Sequence, residues 1–249
     1  MNTTAPAPTA TPQPARPLVD EPHTLASRFI MLLLCLALVL ATLAFGTVHT
    51  WALMFFAAGA CAVVLLWIAD AWRTQTLRLS RNLLQLPLAG LFFVGLVQLL
   101  PYGQTDASGL QTAPVHALTL DPYSTRFVVV QLAALLIYFA AALVFIDSPA
   151  RLRFIVRVVT IFGFLLALFG LLQHFANPDQ IYWLRTPYQG HPFGPFINEH
   201  DFAACMELTL ALPLGLLFSG AIERERRLLY LFAVALMALA LVVTGSRGG

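Results

Sequence analysis

Apolar residues dominate the chain in seven long runs, separated by short polar stretches. The runs fall near 27–46, 52–70, 83–100, 125–146, 154–174, 202–220 and 228–245. Each is about 17–22 residues long, which at a rise of about 1.5 Å per residue crosses a hydrocarbon core of about 30 Å. None shows the strict alternation of a barrel strand. An unpaired backbone amide in lipid costs several kcal/mol, so the runs must be helices. The pattern predicts an all-α polytopic membrane protein of about seven transmembrane helices. Gly and Pro inside the runs, such as Pro87, Gly90, Gly163, Gly170 and Pro213, are ordinary in membrane helices.

Residues 1–25 carry no apolar run and are rich in Pro, Ala and Thr. They read as a disordered tail ahead of a helical bundle at 26–249. They do not read as a signal peptide, because no small-residue cleavage site follows an apolar core.

Composition sharpens this picture. The chain is 59% hydrophobic and only 10% charged, against about 25% charged in a soluble domain. That leaves too little polar surface to cover a globule in water. A net charge of +2 without a basic, aromatic-interleaved patch gives no support to nucleic-acid binding. All 14 basic residues are Arg. Cys35, Cys61 and Cys205 lie in apolar runs without CxxC spacing, and read as small buried hydrophobes.

The Arg positions orient the bundle. Arg16 and Arg28, Arg73, Arg78 and Arg81, Arg151, Arg153 and Arg157, and Arg224, Arg226 and Arg227 mark four segments that alternate with Arg-poor ones. By the positive-inside rule these face the cytoplasm. The N-terminus is then cytoplasmic and the C-terminal end lies on the opposite, periplasmic face. The longer loops, 101–124 and 175–200, fall on that face too. Only Arg126, Arg185 and Arg247 lie there against the charge bias. Each is either an interfacial Arg snorkelling to headgroups or part of an anion site. Phosphate is the natural anion, because guanidinium binds its oxygens bidentately. Arg247 is the strongest candidate, since it ends an apolar run among small residues in TGSRGG.

Candidate chemistry also gathers in FGPFINEHDFAACMELTLALP, residues 193–213. Asn198 or Asp201 is placed to cap the helix that follows. His200, Ala204, Glu207 and Ala211 share one helical face. Glu207 lies about two turns inside the run, where an acid by default faces protein or a water-filled cavity. It either pairs with a structural partner such as Arg247 or a backbone group, or orients an Arg and lines an acceptor cavity. His200 is a possible general base. His191, Glu199, His200 and Asp201 do not have the spacing of a helical ligand pair, so no metal is expected. His23, His49, His116 and His174 read as bland. The Trp and Tyr residues near run ends read as interfacial anchors, with Tyr182 and Trp183 also placed to stack on a sugar. No P-loop, acid-followed GxGxxG or GxSxG is present.

Several segments together resemble the O-antigen ligase / O-antigen polymerase superfamily of bacterial envelope proteins. FGTVHTWAL (45–53) resembles the turn after that family's first helix, and QLLP (98–101) the end of its third. LTLDPYSTR (118–126) resembles its S-L-D-P-x-A-T-R segment, and FGPFINEHDFA (193–203) its G-x-F-x-N-x-N-x-F-A signature. TGSRGG (244–249) resembles the S-R-G that opens its core domain. His200 stands where the family often has a second Asn. The likeness spans 27–249 and runs in the family's order.

The resemblance implies a glycosyltransferase of the bacterial inner membrane that needs neither metal nor cofactor. The donor would be a saccharide on undecaprenyl diphosphate, and the acceptor a hydroxyl on a lipid A core or another glycan. Arg residues of the periplasmic face, Arg247 first and then Arg185 and Arg126, would neutralise the diphosphate. Family members continue past the S-R-G segment into further helices and a periplasmic loop carrying a His proposed to activate the acceptor. The chain ending at Gly249 is therefore expected to be the N-terminal part of such a protein, without its catalytic loop. A polysaccharide transporter or flippase subunit, or a non-catalytic membrane scaffold, is the alternative.

Overall fold

The computed structural model describes residues 24–102, 116–187 and 190–246. Seven α-helices follow in order: α1 (Leu25–Leu43), α2 (Thr50–Thr74), α3 (Gln85–Gln98), α4 (Pro122–Phe145), α5 (Pro149–Ala176), α6 (Glu199–Phe218) and α7 (Arg224–Val243). Two antiparallel two-residue strands, β1 (Pro101–Tyr102) and β2 (His116–Ala117), flank the α3–α4 connection. The chain is an all-α, multi-pass membrane protein. Six helices are long and apolar enough to span a bilayer. The exception is α3, which has 14 residues where a run of 83–100 was expected. Its rise of about 21 Å falls short of a hydrocarbon core of about 30 Å. The expected tail falls largely outside the described residues.

Local chemistry sets where the helices start. Pro122 and Pro149 occupy first-turn positions, where their missing N–H costs nothing. The Asp121 carboxylate accepts from the Tyr123 and Ser124 amides at 3.0 and 3.1 Å, and the Ser124 hydroxyl donates to it at 2.6 Å. Those bonds, the Ser124 hydroxyl foremost, hold its pKa below the ordinary carboxylate value. Ser148 and Thr24 cap α5 and α1 in the same way.

Packing divides the apolar core in two. Ile30 and Met31 of α1, Val63 of α2, and Tyr138 and Phe145 of α4 form one cluster. Phe162, Leu166 and Leu171 of α5 meet Phe202 and Met206 of α6 and Met237 of α7 in the other. In α5, 44% of the apolar window is buried, against 17–28% in the other five spans. That makes α5 the central post of the second cluster. The outward faces carry large apolar residues such as Phe55, Leu165, Leu208 and Phe232, which suit lipid contact. Cys61 is exposed on such a face, and Cys35 and Cys205 are only half-buried. The expectation of buried thiols is therefore not met. In lipid an apolar residue gains no hydrophobic driving force by turning inward.

Polar contacts tie one end of the bundle together. Arg151 Nη2 donates to Ser27 Oγ of α1 at 2.5 Å. Its Nη1 donates to the Phe145 carbonyl at 2.7 Å and to Asp147 at 3.3 Å. Phe145 ends α4, so the guanidinium satisfies a carbonyl left open at a helix terminus. Arg78 pairs with Asp147 at 3.7 Å. The Thr24 hydroxyl donates to the buried Asp70 of α2. This basic end gathers the start of α1 with the α2–α3 and α4–α5 connections. Replacing Arg151 by Ala is expected to lower stability by about 1.5–3 kcal/mol, the scale of charge-assisted bonds. Lys, a point donor without the planar fork, restores only part of it. Thermal unfolding of the purified protein in detergent reads this; wild-type unfolding of the Ala variant contradicts it.

Candidate functional site

The other end of the bundle is built by the α5–α6 loop, which folds back on the helices beneath it. Ile181 and Arg185 close one tight turn, with the Ile181 amide donating to the Arg185 carbonyl at 2.8 Å. Phe193 and Phe196 close a second, exchanging amide bonds at 3.2 and 3.1 Å. Pro192 through Phe196 are all buried. A loop at this depth needs an internal partner for its backbone.

Gln173 supplies it. This side chain, 1% exposed near the end of α5, donates from Nε2 to the Gly194 carbonyl at 3.0 Å. Its Oε1 accepts from the Tyr182 amide at 3.0 Å. One amide thus holds both turns against one helix. Gly170, one turn earlier, makes room: a Cβ there would lie 2.8 Å from Phe193 and 2.9 Å from Phe202. His174 stacks on Phe193 with ring centroids 5.1 Å apart, so its role is packing.

The loop then reaches the turn between α1 and α2. Phe45, Gly46 and Thr47 are successive left-handed residues, with φ of 58°, 65° and 62°. Tyr182 and Trp183 are left-handed as well, at 54° and 58°. Non-glycine residues in this region cost about 1–3 kcal/mol each and persist only where surroundings hold them. Here they hold one another. The Tyr182 hydroxyl donates to the Leu43 carbonyl at 2.5 Å, and its ring sits 5.7 Å from Phe45 and 5.4 Å from Phe169. Burial pushes the Tyr182 phenol above its ordinary pKa and keeps it a donor. Tyr182 is thus committed to packing rather than free to stack on a sugar, whereas Trp183 stays 46% exposed.

Arg185 is exposed, and its Nη1 lies 3.0 Å from His49 Nε2. A guanidinium has donors only, so Nε2 accepts and the His49 proton sits on Nδ1. No acidic side chain among the described residues pairs with Arg185. His49, read as bland in the sequence, is therefore a member of the site.

On the far side of the loop, Asn198 caps α6, its Oδ1 accepting from the His200 amide at 3.1 Å. Asp201 does not cap. His200 Nδ1 and Ser246 Oγ share a hydrogen bond at 2.8 Å, which joins two segments 46 residues apart, the N-E-H-D-F-A stretch and the T-G-S stretch after α7. Arg247 itself lies outside the described residues, as do Tyr188, His23 and the stretch 103–115.

Glu207 shares the exposed stripe of α6 with His200, Ala204 and Ala211. It has no partner among the described residues, so the expected structural pairing is not seen there. Phe202, Met206 and Thr209 take the buried side of α6, and a step of about 100° per residue turns Glu207 outward. Arg126 is exposed near the start of α4 and takes no part in these contacts. The LTLDPYSTR segment around it is accounted for by the helix cap at Asp121. No group of three metal-ligating side chains occurs among the described residues.

Comparison with known proteins finds no matching family profile, no matching curated protein and no matching solved structure.

Gln173→Leu keeps the volume and removes both bonds, leaving the Tyr182 amide and Gly194 carbonyl buried and unpaired. The expected loss is about 1–3 kcal/mol for each orphaned group. Limited proteolysis should cut the α5–α6 loop faster while α1–α4 stay protected. An unchanged cleavage pattern contradicts the clamp.

Proposed function

We propose that this chain forms part of an O-antigen ligase-like glycosyltransferase, with the loop end of the bundle as its periplasmic working face. In this reading the protein sits in a bacterial inner membrane, its basic end toward the cytoplasm. The donor is a glycan on undecaprenyl diphosphate, and the acceptor is a hydroxyl of a lipid A core or another glycan. The hydroxyl oxygen attacks the anomeric carbon, the bond to the diphosphate oxygen breaks, and the hydroxyl proton leaves to a base.

The observation that carries the reading is the contact between His200 and Ser246. It brings the FGPFINEHDFA and TGSRGG segments, two parts of the resemblance, to one place. Arg247 follows Ser246 directly in sequence. Arg185, exposed and without an acidic partner among the described residues, supports the same chemistry. Diphosphate develops negative charge as it leaves, and preorganised cations at that position are the usual large catalytic contribution. Asn198 shapes the start of α6, while Glu207 and His200 line the stripe facing the incoming acceptor. Arg126 serves α4 and stands apart from the donor.

The test uses the protein expressed in full from its own gene in its native host. Arg247→Ala is expected to lower glycan transfer by at least about tenfold per lost charge-assisted bond, at about 1.4 kcal/mol per factor of ten. Arg185→Ala is expected to lower it less. Membrane abundance stays unchanged in both. Wild-type transfer by both variants would sink the proposal.

A further inference from the structure

The short helix α3 packs along α4. Their register is set where Gly95 meets Val129, so closely that a Cβ on Gly95 would lie 2.7 Å from a Val129 methyl. From that point Gln85 opens α3 ten residues back, about 15 Å along the helix, whereas Phe145 ends α4 sixteen residues on, about 24 Å. The two helices run antiparallel, so α3 begins about 9 Å short of the basic end of the bundle.

The chain nevertheless starts from that end. Arg78 reaches Asp147, two residues past the end of α4, at 3.7 Å. Residues 79–84 then descend to the start of α3 without forming helix. They do so on the outside of the bundle, with Leu79, Arg81, Asn82, Leu83 and Leu84 all exposed. Their backbone is open as well. The Asn82 amide donates to the Ser80 hydroxyl at 3.3 Å, and the Leu84 amide to Asn82 Oδ1 at 3.0 Å. Among the described residues, no acceptor takes the amides of Leu79, Ser80, Arg81 or Leu83.

Hydrocarbon does not tolerate such a backbone. At membrane depth it persists only against protein or water. Thinning a leaflet by a few ångströms costs far less than leaving several amides dry. The side chains favour the wet arrangement. Residues 71–84 include three Arg and no acid. Asp147 pairs with Arg78, while Arg73 and Arg81 are exposed and make no ion pair among the described residues. Trp72, Leu77, Leu79, Leu83 and Leu84 are exposed between them. That mixture of ring, aliphatic and cationic groups beds into a lipid interface.

We infer that the α2–α3 connection draws anionic phospholipid headgroups and their water about 9 Å into the bilayer beside α4, with a lipid phosphate on Arg81. The guanidinium takes phosphate oxygens in its planar fork. The open amides beside it are further donors, and the Leu side chains meet the acyl chains at the rim. The inference needs only a bundle that spans a bilayer and is independent of the glycan reading.

The test is photolabelling in phosphatidylcholine nanodiscs that contain a minority of phosphatidylglycerol with a diazirine on its headgroup. Leu32 is the depth control. It lies five residues past Ser27, which Arg151 ties to the Phe145 carbonyl, so it sits about 7.5 Å from the same end on the exposed face of α1. Label is expected on residues 79–84 and not at Leu32. Arg81→Gln should cut it about fivefold, the factor for one Arg at an anionic surface, while label at residues 224–227 stays unchanged. Phosphatidylcholine carrying the same diazirine should label 79–84 more weakly, and unfolding in detergent checks that the variant folds. Equal label at Leu32 and 79–84 would mean an evenly thin bilayer and overturns the inference. Absence of label at 79–84 overturns it too, as does equal labelling by both lipids that Arg81→Gln leaves unchanged. Crosslinks between two copies through 79–84, in place of lipid label, would assign the cover to protein and overturn it as well.

Discussion

Lipid offers no hydrogen-bond partner, and that constraint sorts nearly every polar group of this chain to one of two ends. Between the ends, helices satisfy their own backbone and show apolar side chains to the bilayer. At one end Arg151 joins α1, α4 and the α4–α5 connection through Ser27, Phe145 and Asp147. At the other, Gln173 joins the two turns of the α5–α6 loop. Both are single side chains with several partners, placed where a helix emerges from apolar packing. The same economy explains the left-handed turns. Phe45–Thr47 and Tyr182–Trp183 hold their costly backbone by packing on each other.

The two ends differ in kind. The basic end is cross-braced between helices, with Asp147 shared by Arg78 and Arg151. The loop end leaves Arg185 facing outward on a His and leaves Glu207 outward without a described partner.

Much of this was legible in the residues. Runs of apolar residues set the helices to within a few positions, though α4 and α5 begin at Pro122 and Pro149, ahead of the runs expected from 125 and 154. The stripe of His200, Ala204, Glu207 and Ala211 followed from helical period alone. What stayed hidden depends on which elements meet. A lone Gln173 in an apolar run looks the same whether it faces lipid, water or a loop 21 residues away. Arg151 read as a mark of topology, and its reach to Ser27 spans 124 residues. His49 looked like a turn residue until Arg185 was found beside it. The close approach of α2 and α4 at Gly59 and Tyr138 is likewise something that no periodicity encodes.

The account depends most on which end faces which side of the membrane. Substituted-cysteine labelling in intact cells reads that directly. After Cys35, Cys61 and Cys205 are replaced, single cysteines at Ser80, in the α2–α3 connection, and Pro178, in the α5–α6 loop, are treated with a maleimide that cannot cross the membrane. Cysteine at 178 is predicted to react in intact cells, and cysteine at 80 only after the membrane is permeabilised. The reverse pattern would put the loop end in the cytoplasm and contradict the account.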